Sequence, residues 1–303
     1  MRDAWSETLK ASLDQALRSN GWMPRFEAVD GTEVPVVVRR CIQEGVEAVL
    51  AGGGDGTTRS VAAELQGTEV ALGVLPFGTL NLAARDLGSP LDPVEAVRAL
   101  HPGVVRRIDL LHANDETCLC MLVLGFYPNT VAQQPEYHGR SWWVKTGRFA
   151  ASLWRSFLHT PRLQIALTLP DGSRRDVRTR FLAVVPGEYQ DVLGLVPRRE
   201  SLSTGHCTVY TSRHRSRWSV LRVAARYLLG RARNDPDLEI LSVNALELTI
   251  GGKRSVLAAI DGEIVRLKVP ITLRLQRKGL TVLKPEGKEE APAPGPAISS
   301  AAS

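Results

Sequence analysis

The sequence predicts an α/β fold, with a helix-flanked sheet in the first part and a unit rich in antiparallel β structure after it. Helical and strand-like apolar periods alternate through the first third, and strand-like runs dominate after about Asp109. Two short loops in the first part, at 52–56 and 76–81, each close a buried strand and open a helix. Strand–helix alternation of this kind implies a mostly parallel sheet covered on both faces. With 303 residues and 44% hydrophobic content, the chain can bury one large or two modest cores.

Taken in order, Trp5, Leu9, Leu13 and Leu17 recur every fourth residue and predict an amphipathic helix. A short strand is expected at 25–29, a helix over Val34, Val37, Val38, Cys41 and Ile42, and a buried strand from Glu47 to Ala51 ending in glycines. A helix near 57–66, a strand at Val70–Leu75 and a helix from about Thr79 continue the pattern. Beyond Asp109, the runs Leu119–Gly125, Leu163–Leu169 and Phe181–Val185 read as strands. Val265, Leu267, Val269, Ile271, Leu273 and Leu275 alternate with mostly polar residues, which predicts a half-buried antiparallel pair or one long bent strand, with Pro270 at an edge or kink. Helices are expected near 142–159 and 216–229. From Pro285 the Pro, Ala, Ser and Glu content is too polar to fold, and a disordered tail is expected. The units are drawn at 1–110, 111–284 and 285–303.

Charge narrows the partners. Lys and Arg number 38 against 32 Asp and Glu, a net +6, which suits ATP or an anionic lipid surface. No Lys/Arg run with interleaved aromatics is present, so no nucleic-acid partner is expected. The four cysteines form no CxxC pair and have no His at zinc-finger spacing, as expected of reduced thiols in a cytoplasmic protein. The N-terminus has no apolar core of a leader, and the longest apolar stretch, Cys118 to Tyr127, is too short to span a bilayer. A soluble chain is expected, meeting any membrane from its surface. Trp142, Trp143, Phe149, Leu153, Trp154 and Phe157 lie among Lys145, Arg148 and Arg155, a mixture that suits either a membrane interface or a helix packed on its own core.

The strongest chemical signal is Gly52-Gly53-Gly54-Asp55-Gly56-Thr57-Thr58 between a buried strand and a helix. Glycines let backbone pass close to a ligand, and amides at a helix N-terminus attract phosphate. Asp55 is placed to hold a magnesium ion that screens phosphate charge. The same residues could form only a turn, and they match neither the Walker A loop nor the dinucleotide fingerprint. The second loop, Pro76-Phe77-Gly78-Thr79-Leu80-Asn81, closes the next strand, so both face the crevice where open α/β sheets bind ligands. There Thr79 and Asn81 would supply hydrogen bonds, unless Thr79 only caps a helix. The third signal is Asp261-Gly262-Glu263. It reads as a plain hairpin or as a site for Glu263 acting as general base on a hydroxyl.

GGGDGT, PFGTLN-x-x-A-R and a distant DGE, in this order and spacing, resemble the diacylglycerol kinase catalytic family, which includes bacterial lipid kinases and sphingosine kinases. The likeness covers about residues 5 to 284. It implies a Rossmann-like nucleotide-binding domain, an antiparallel β-sandwich, and an active cleft between them. It also implies an ATP-dependent transfer of the γ-phosphoryl group to a lipid hydroxyl, of diacylglycerol or a sphingoid base, with Mg²⁺. Gly53, Gly54, Asp55, Gly56, Thr57 and Thr58 would lie along the phosphates, Gly78, Thr79 and Asn81 at the nucleotide, Asp55 at the metal, and Glu263 as the base.

The chain departs from the family at several places. It begins at the first helix, so the family's first strand and its Asn-Pro-x-Ser-Gly loop are expected to be missing, through a start placed too far downstream or a degenerate copy. Leu82 stands where many members have a supporting Asp, and Thr204 where they have an Asp tied to a second magnesium. Two other readings stay open: a non-catalytic nucleotide- or lipid-binding member, and an NAD kinase-like enzyme that shares the GGDGT loop.

Overall fold

A computed structural model describes residues 6–100, 105–132, 161–189, 199, 201–212, 235 and 237–285. The expected helices near 142–159 and 216–229, the tryptophan-rich segment and the tail beyond Pro285 lie outside the described residues.

The first part alternates as its apolar spacing predicts. Helix α1 (Glu7–Ser19) starts where the Ser6 hydroxyl accepts the Leu9 N–H, and α2 (Val34–Gln43) carries proline in its first turn. Strand β1 (Ala48–Gly53) leads into α3 (Asp55–Leu65), and β2 (Ala71–Pro76) into α4 (Leu82–Leu87), followed by α5 (Pro93–Ala99). β1 and β2 pair in parallel, with Gly53 opposite Pro76, so both glycine loops leave the same end of the sheet. Leu13, Leu17, Ala96 and Val97 of α1 and α5 bury one face against Leu75; Val38, Val61, Leu65 and Ala84 of α2, α3 and α4 bury the other against Leu72 and Val74. The double cover explains why β2 is buried along its whole length.

Residues 25–29 do not form the expected strand. Among the described residues β1 pairs with β2 alone, and residues 25–29 do not add to its open edge. Instead Arg25 pairs with Glu44 at 2.6 Å, and Glu27 with Arg40 at 2.9 Å, which ties the segment to the α2 region.

The rest is antiparallel apart from the pairing of the last strand with β2. β3 (Val105–Ala113), β4 (Glu116–Cys118), β6 (Leu163–Thr168), β7 (Arg174–Thr179), β11 (Ala245–Ile250) and β14 (Ile271–Leu283) join β1 and β2 in one eight-stranded sheet. β5 (Leu122–Gly125), β8 (Phe181–Pro186), β9 (Cys207–Ser212), β10 (Leu238–Val243), β12 (Ser255–Ile260) and β13 (Glu263–Lys268) form a second, six-stranded sheet, with the short helix α6 (Phe126–Ala132) following β5. Their inner faces pack Ile165, Leu167, Leu246, Leu248 and Leu273 against Leu122, Leu124, Leu182, Val184 and Ile260, a sandwich core. The alternation from 265 to 275 resolves into β13 and β14, which lie in different sheets rather than as a pair or one bent strand; β13 pairs with β12, and β14 with β11 and β3.

β14 links the two units. Its first residues pair with β11 in the sandwich, and Val282 pairs with Leu72 of β2 in the parallel region. The four free cysteines, Cys41 among them half-buried and the others buried, form no disulfide.

Candidate active site

The two glycine loops touch backbone to backbone. A methyl group on Gly78 would lie 2.9 Å from Gly54 Cα, a distance that no real Cβ tolerates, so the second loop can approach the first only because residue 78 lacks a side chain. Asn81 holds this loop in shape. Its backbone is left-handed, with φ at 50°, and its side chain accepts the Gly78 N–H at 2.8 Å and donates to Gly78 O at 2.9 Å. The Asn81 amide is thus engaged within its own loop, while Thr79 beside it is exposed.

Gly54 is the N-cap of α3 and offers no side chain, so the first-turn amides of this 11-residue helix face the loop mouth without an acceptor from a cap. Such an end attracts phosphate. Thr57 lies against Gly53, whereas Thr58 turns inward, 2% exposed, with its hydroxyl donating to Gly54 O at 3.2 Å.

Asp55, half-buried in the first turn of α3, accepts the Leu82 N–H at 2.7 Å and so caps the start of α4. Burial raises its pKa above the ordinary carboxylate value, the Leu82 N–H opposes this, and the charge of Asp261 adds to the rise.

Asp261 and Gly262 form the turn between β12 and β13, with Ile260 opposite Glu263. Both have positive φ, 51° and 87°, the signature of a type I′ hairpin. The Asp261 carboxylate points inward and accepts the N–H groups of Leu119, Cys120 and Met121 at 2.8 to 3.0 Å. Burial raises its pKa, while those three bonds and Arg59 lower it. The hairpin is thereby pinned to the crossing from the β3–β4 pair into β5. Its next residue, Glu263, is exposed and reaches the glycine loop: a methyl group on Gly56 would sit 2.9 Å from Glu263 Oε1. Three motifs separated by some two hundred residues of chain therefore meet at one mouth, the N-terminal end of α3.

Two functional candidates were not singled out by the sequence. Asp86, on α4, and Arg199 form a fully buried ion pair, Nε to Oδ2 2.7 Å. Burial alone would lower the Arg199 pKa, but Asp86's charge and hydrogen bond outweigh it and raise the pKa. The signal was present for Asp86: it lies four residues after Leu82, on the same helix face as a core leucine.

No group of three or more His, Cys, Asp or Glu side chains that could hold a metal occurs among the described residues. Asp55 and Glu263 supply hard oxygen donors, which fits magnesium held mostly by phosphate oxygens and water rather than in a protein cage. No helix of the described residues is long and apolar enough to cross a membrane.

The arrangement joins a parallel α/β part to an antiparallel sandwich, with the motif residues between them. The chain superposes on a diacylglycerol kinase from Bacillus anthracis str. Sterne with a TM-score of 0.69 over 92% of each chain, at 16% identity, which shows the fold alone. Residues 4–113 match the family model of the diacylglycerol kinase catalytic domain. Among curated relatives the chain is 33% identical over 141 residues to a "Probable lipid kinase YegS-like" of Pseudomonas putida, 45% of this chain and 46% of that one. It is 42% identical over 99 residues to a protein of the same name from Citrobacter koseri, 31% of this chain and 33% of that one. The matched segments thus span less than half the length of these relatives.

Proposed function

We propose that this chain is an ATP-dependent lipid kinase, transferring the γ-phosphoryl group to a lipid hydroxyl of the diacylglycerol or sphingoid type. The observation that carries the reading is Glu263 at the N-terminal end of α3, across from the glycine loops. In this mechanism the uncapped amides of Gly56 and Thr57 take the phosphate oxygens, and exposed Thr79 contacts the nucleotide. Asp55 would hold magnesium, which when bound neutralises phosphate charge. Glu263 accepts the proton of the acceptor hydroxyl as the new P–O bond forms and the bond from the γ-phosphorus to the bridging oxygen breaks, releasing ADP, and positioning supplies most of the rate.

A net charge of +6 supports peripheral docking on an anionic membrane surface at the cytoplasmic face, and the lack of a Lys/Arg run with interleaved aromatics argues against a nucleic-acid partner. Binding to vesicles rich in anionic lipid should exceed binding to neutral ones and weaken as salt shortens the Debye length to ~8–10 Å. Equal partitioning to both would remove the membrane from the account.

A non-catalytic nucleotide- or lipid-binding role is the second reading. It is favoured by the Asp55 oxygen committed to Leu82. A labelled-ATP transfer assay over diacylglycerol, sphingosine, ceramide, undecaprenol and NAD separates the readings. The lipid-kinase reading expects label on at least one lipid and none on NAD; label on NAD alone, or on nothing while ATP still binds, would refute it.

A further inference from the structure

The pair Asp86–Arg199 has no part in the chemistry above, yet it is the most deeply buried ion pair among the described residues, with side chains 4% and 2% exposed. Its geometry is two-pronged. Arg199 donates Nε to Asp86 Oδ2 at 2.7 Å and its backbone N–H to Asp86 Oδ1 at 3.2 Å. A third donor, Nη1, bonds the carbonyl of Pro186, the last residue of β8, at 3.0 Å.

Asp86 is on α4, the helix whose first N–H is held by Asp55. One series of bonds therefore runs from Asp55 through Leu82 and Asp86 to Arg199 and the end of β8, crossing from the α/β unit to the sandwich. The apolar residues of α4, Leu82, Ala83, Ala84 and Leu87, seal it onto the α/β core, whereas Asp86 ties it to the second unit. A six-residue helix has little intrinsic persistence, so its orientation depends on what grips its ends.

Buried ion pairs are a poor device for stability, since well-packed apolar groups of similar volume generally do as well or better. What this pair adds is direction: Nε and the backbone N–H of Arg199 reach the two Asp86 oxygens while Nη1 reaches Pro186, which fixes the relative angle as well as the distance. Resting on the lipid-kinase reading for its effect on turnover, we propose that Asp86 and Arg199 are positioning residues, which lock α4, and with it Asp55 and the Thr79 loop, in register with the Glu263 hairpin.

The test compares the wild type with the double variant Asp86→Leu/Arg199→Met and the single variant Arg199→Lys. Measured for each are the thermal midpoint, ATP affinity, hydrogen exchange over residues 79–88, and kcat and KM separately. The double variant should melt somewhat below the wild type, because its apolar replacements fill the site but leave the backbone N–H of residue 199 without its Asp86 acceptor. It should bind ATP within about threefold, because α3 is untouched, yet exchange Leu82 and α4 on the order of tenfold faster. Where the wild type turns over, kcat should fall on the order of 10- to 100-fold with KM for ATP little changed, the mark of misplacement rather than lost binding. Arg199→Lys keeps the charge without the fork and should show the same faster exchange and reduced kcat, which keeps the test decisive if the double variant does not fold. Wild-type exchange and wild-type kcat in either folded variant would overturn the proposal. A wild type that transfers phosphate to no lipid would end the kinase reading alone, and exchange at Leu82 would still decide the positioning role.

Discussion

At the scale of single residues, the site depends on what is absent at Gly78 and what is buried at Asp261. Gly78 permits a contact that a single methyl group would abolish, since the atom it would strike is the backbone Cα of Gly54 and cannot rotate away. Gly78→Ala should therefore separate the two loops. We expect a stability cost of about 1–3 kcal/mol from overpacking and a measurable loss of ATP affinity by calorimetry. Unchanged affinity would mean that the loop contact does not shape the nucleotide site. The residues that sequence reading singled out here, Gly53 to Thr58 and Gly78 to Asn81, do converge, but with different duties. Thr58 faces the core, and the Asn81 amide closes its own loop. Helical spacing does give the direction of Thr58, which shares the buried face of Val61, Ala62 and Leu65, whereas the bond of the Asn81 amide to its own loop has no such local signal.

At the scale of elements, the β12–β13 hairpin shows how one motif serves two purposes. Asp-Gly was legible as a turn because positive φ at both positions is demanded by the type I′ form and tolerated by these residues. That its carboxylate spans 140 residues of chain to meet Met121 was not legible, because no local pattern encodes such a contact. Asp261→Asn isolates this carboxylate, since Asn-Gly also favours a type I′ turn but offers one acceptor oxygen to three N–H groups. It should destabilise the fold by about 1–3 kcal/mol, read from urea midpoints. The pH dependence has a definite sign. With its pKa raised from 3.8 by burial, Asp261 keeps its proton to higher pH in the folded state than in the unfolded chain. Its contribution to stability is therefore fully present below the unfolded pKa and declines as pH rises through the folded one. Relative to the wild type, the Asn variant should lose that decline; parallel curves would show that the carboxyl titrates alike in both states. The segment 25–29 gives the opposite lesson. Its composition suits a strand, but Arg25 and Glu27 pair with Glu44 and Arg40, and the segment joins no sheet.

At the scale of the whole molecule, β14 decides the architecture. The last described strand begins in the sandwich and ends beside β2, so residues at opposite ends of the chain complete one sheet. Apolar alternation in the sequence marked its first half as a strand but could not assign its partners, which are long-range choices. The consequence for function is that Glu263, on the sandwich, faces α3, on the parallel unit, across a junction held by β14 and by the Asp86–Arg199 pair. The account's central claim is that this facing arrangement is a phosphoryl-transfer site. Its most direct test is Glu263→Gln, which keeps shape and hydrogen bonding but cannot accept a proton, with turnover and ATP affinity measured on the same preparation. The account expects turnover to fall on the order of 10²–10⁴-fold, the usual worth of a positioned general base, with ATP affinity largely unchanged. Unchanged turnover would contradict it and leave Glu263 a hairpin residue, whereas weakened ATP binding would move Glu263 to the nucleotide side of the cleft.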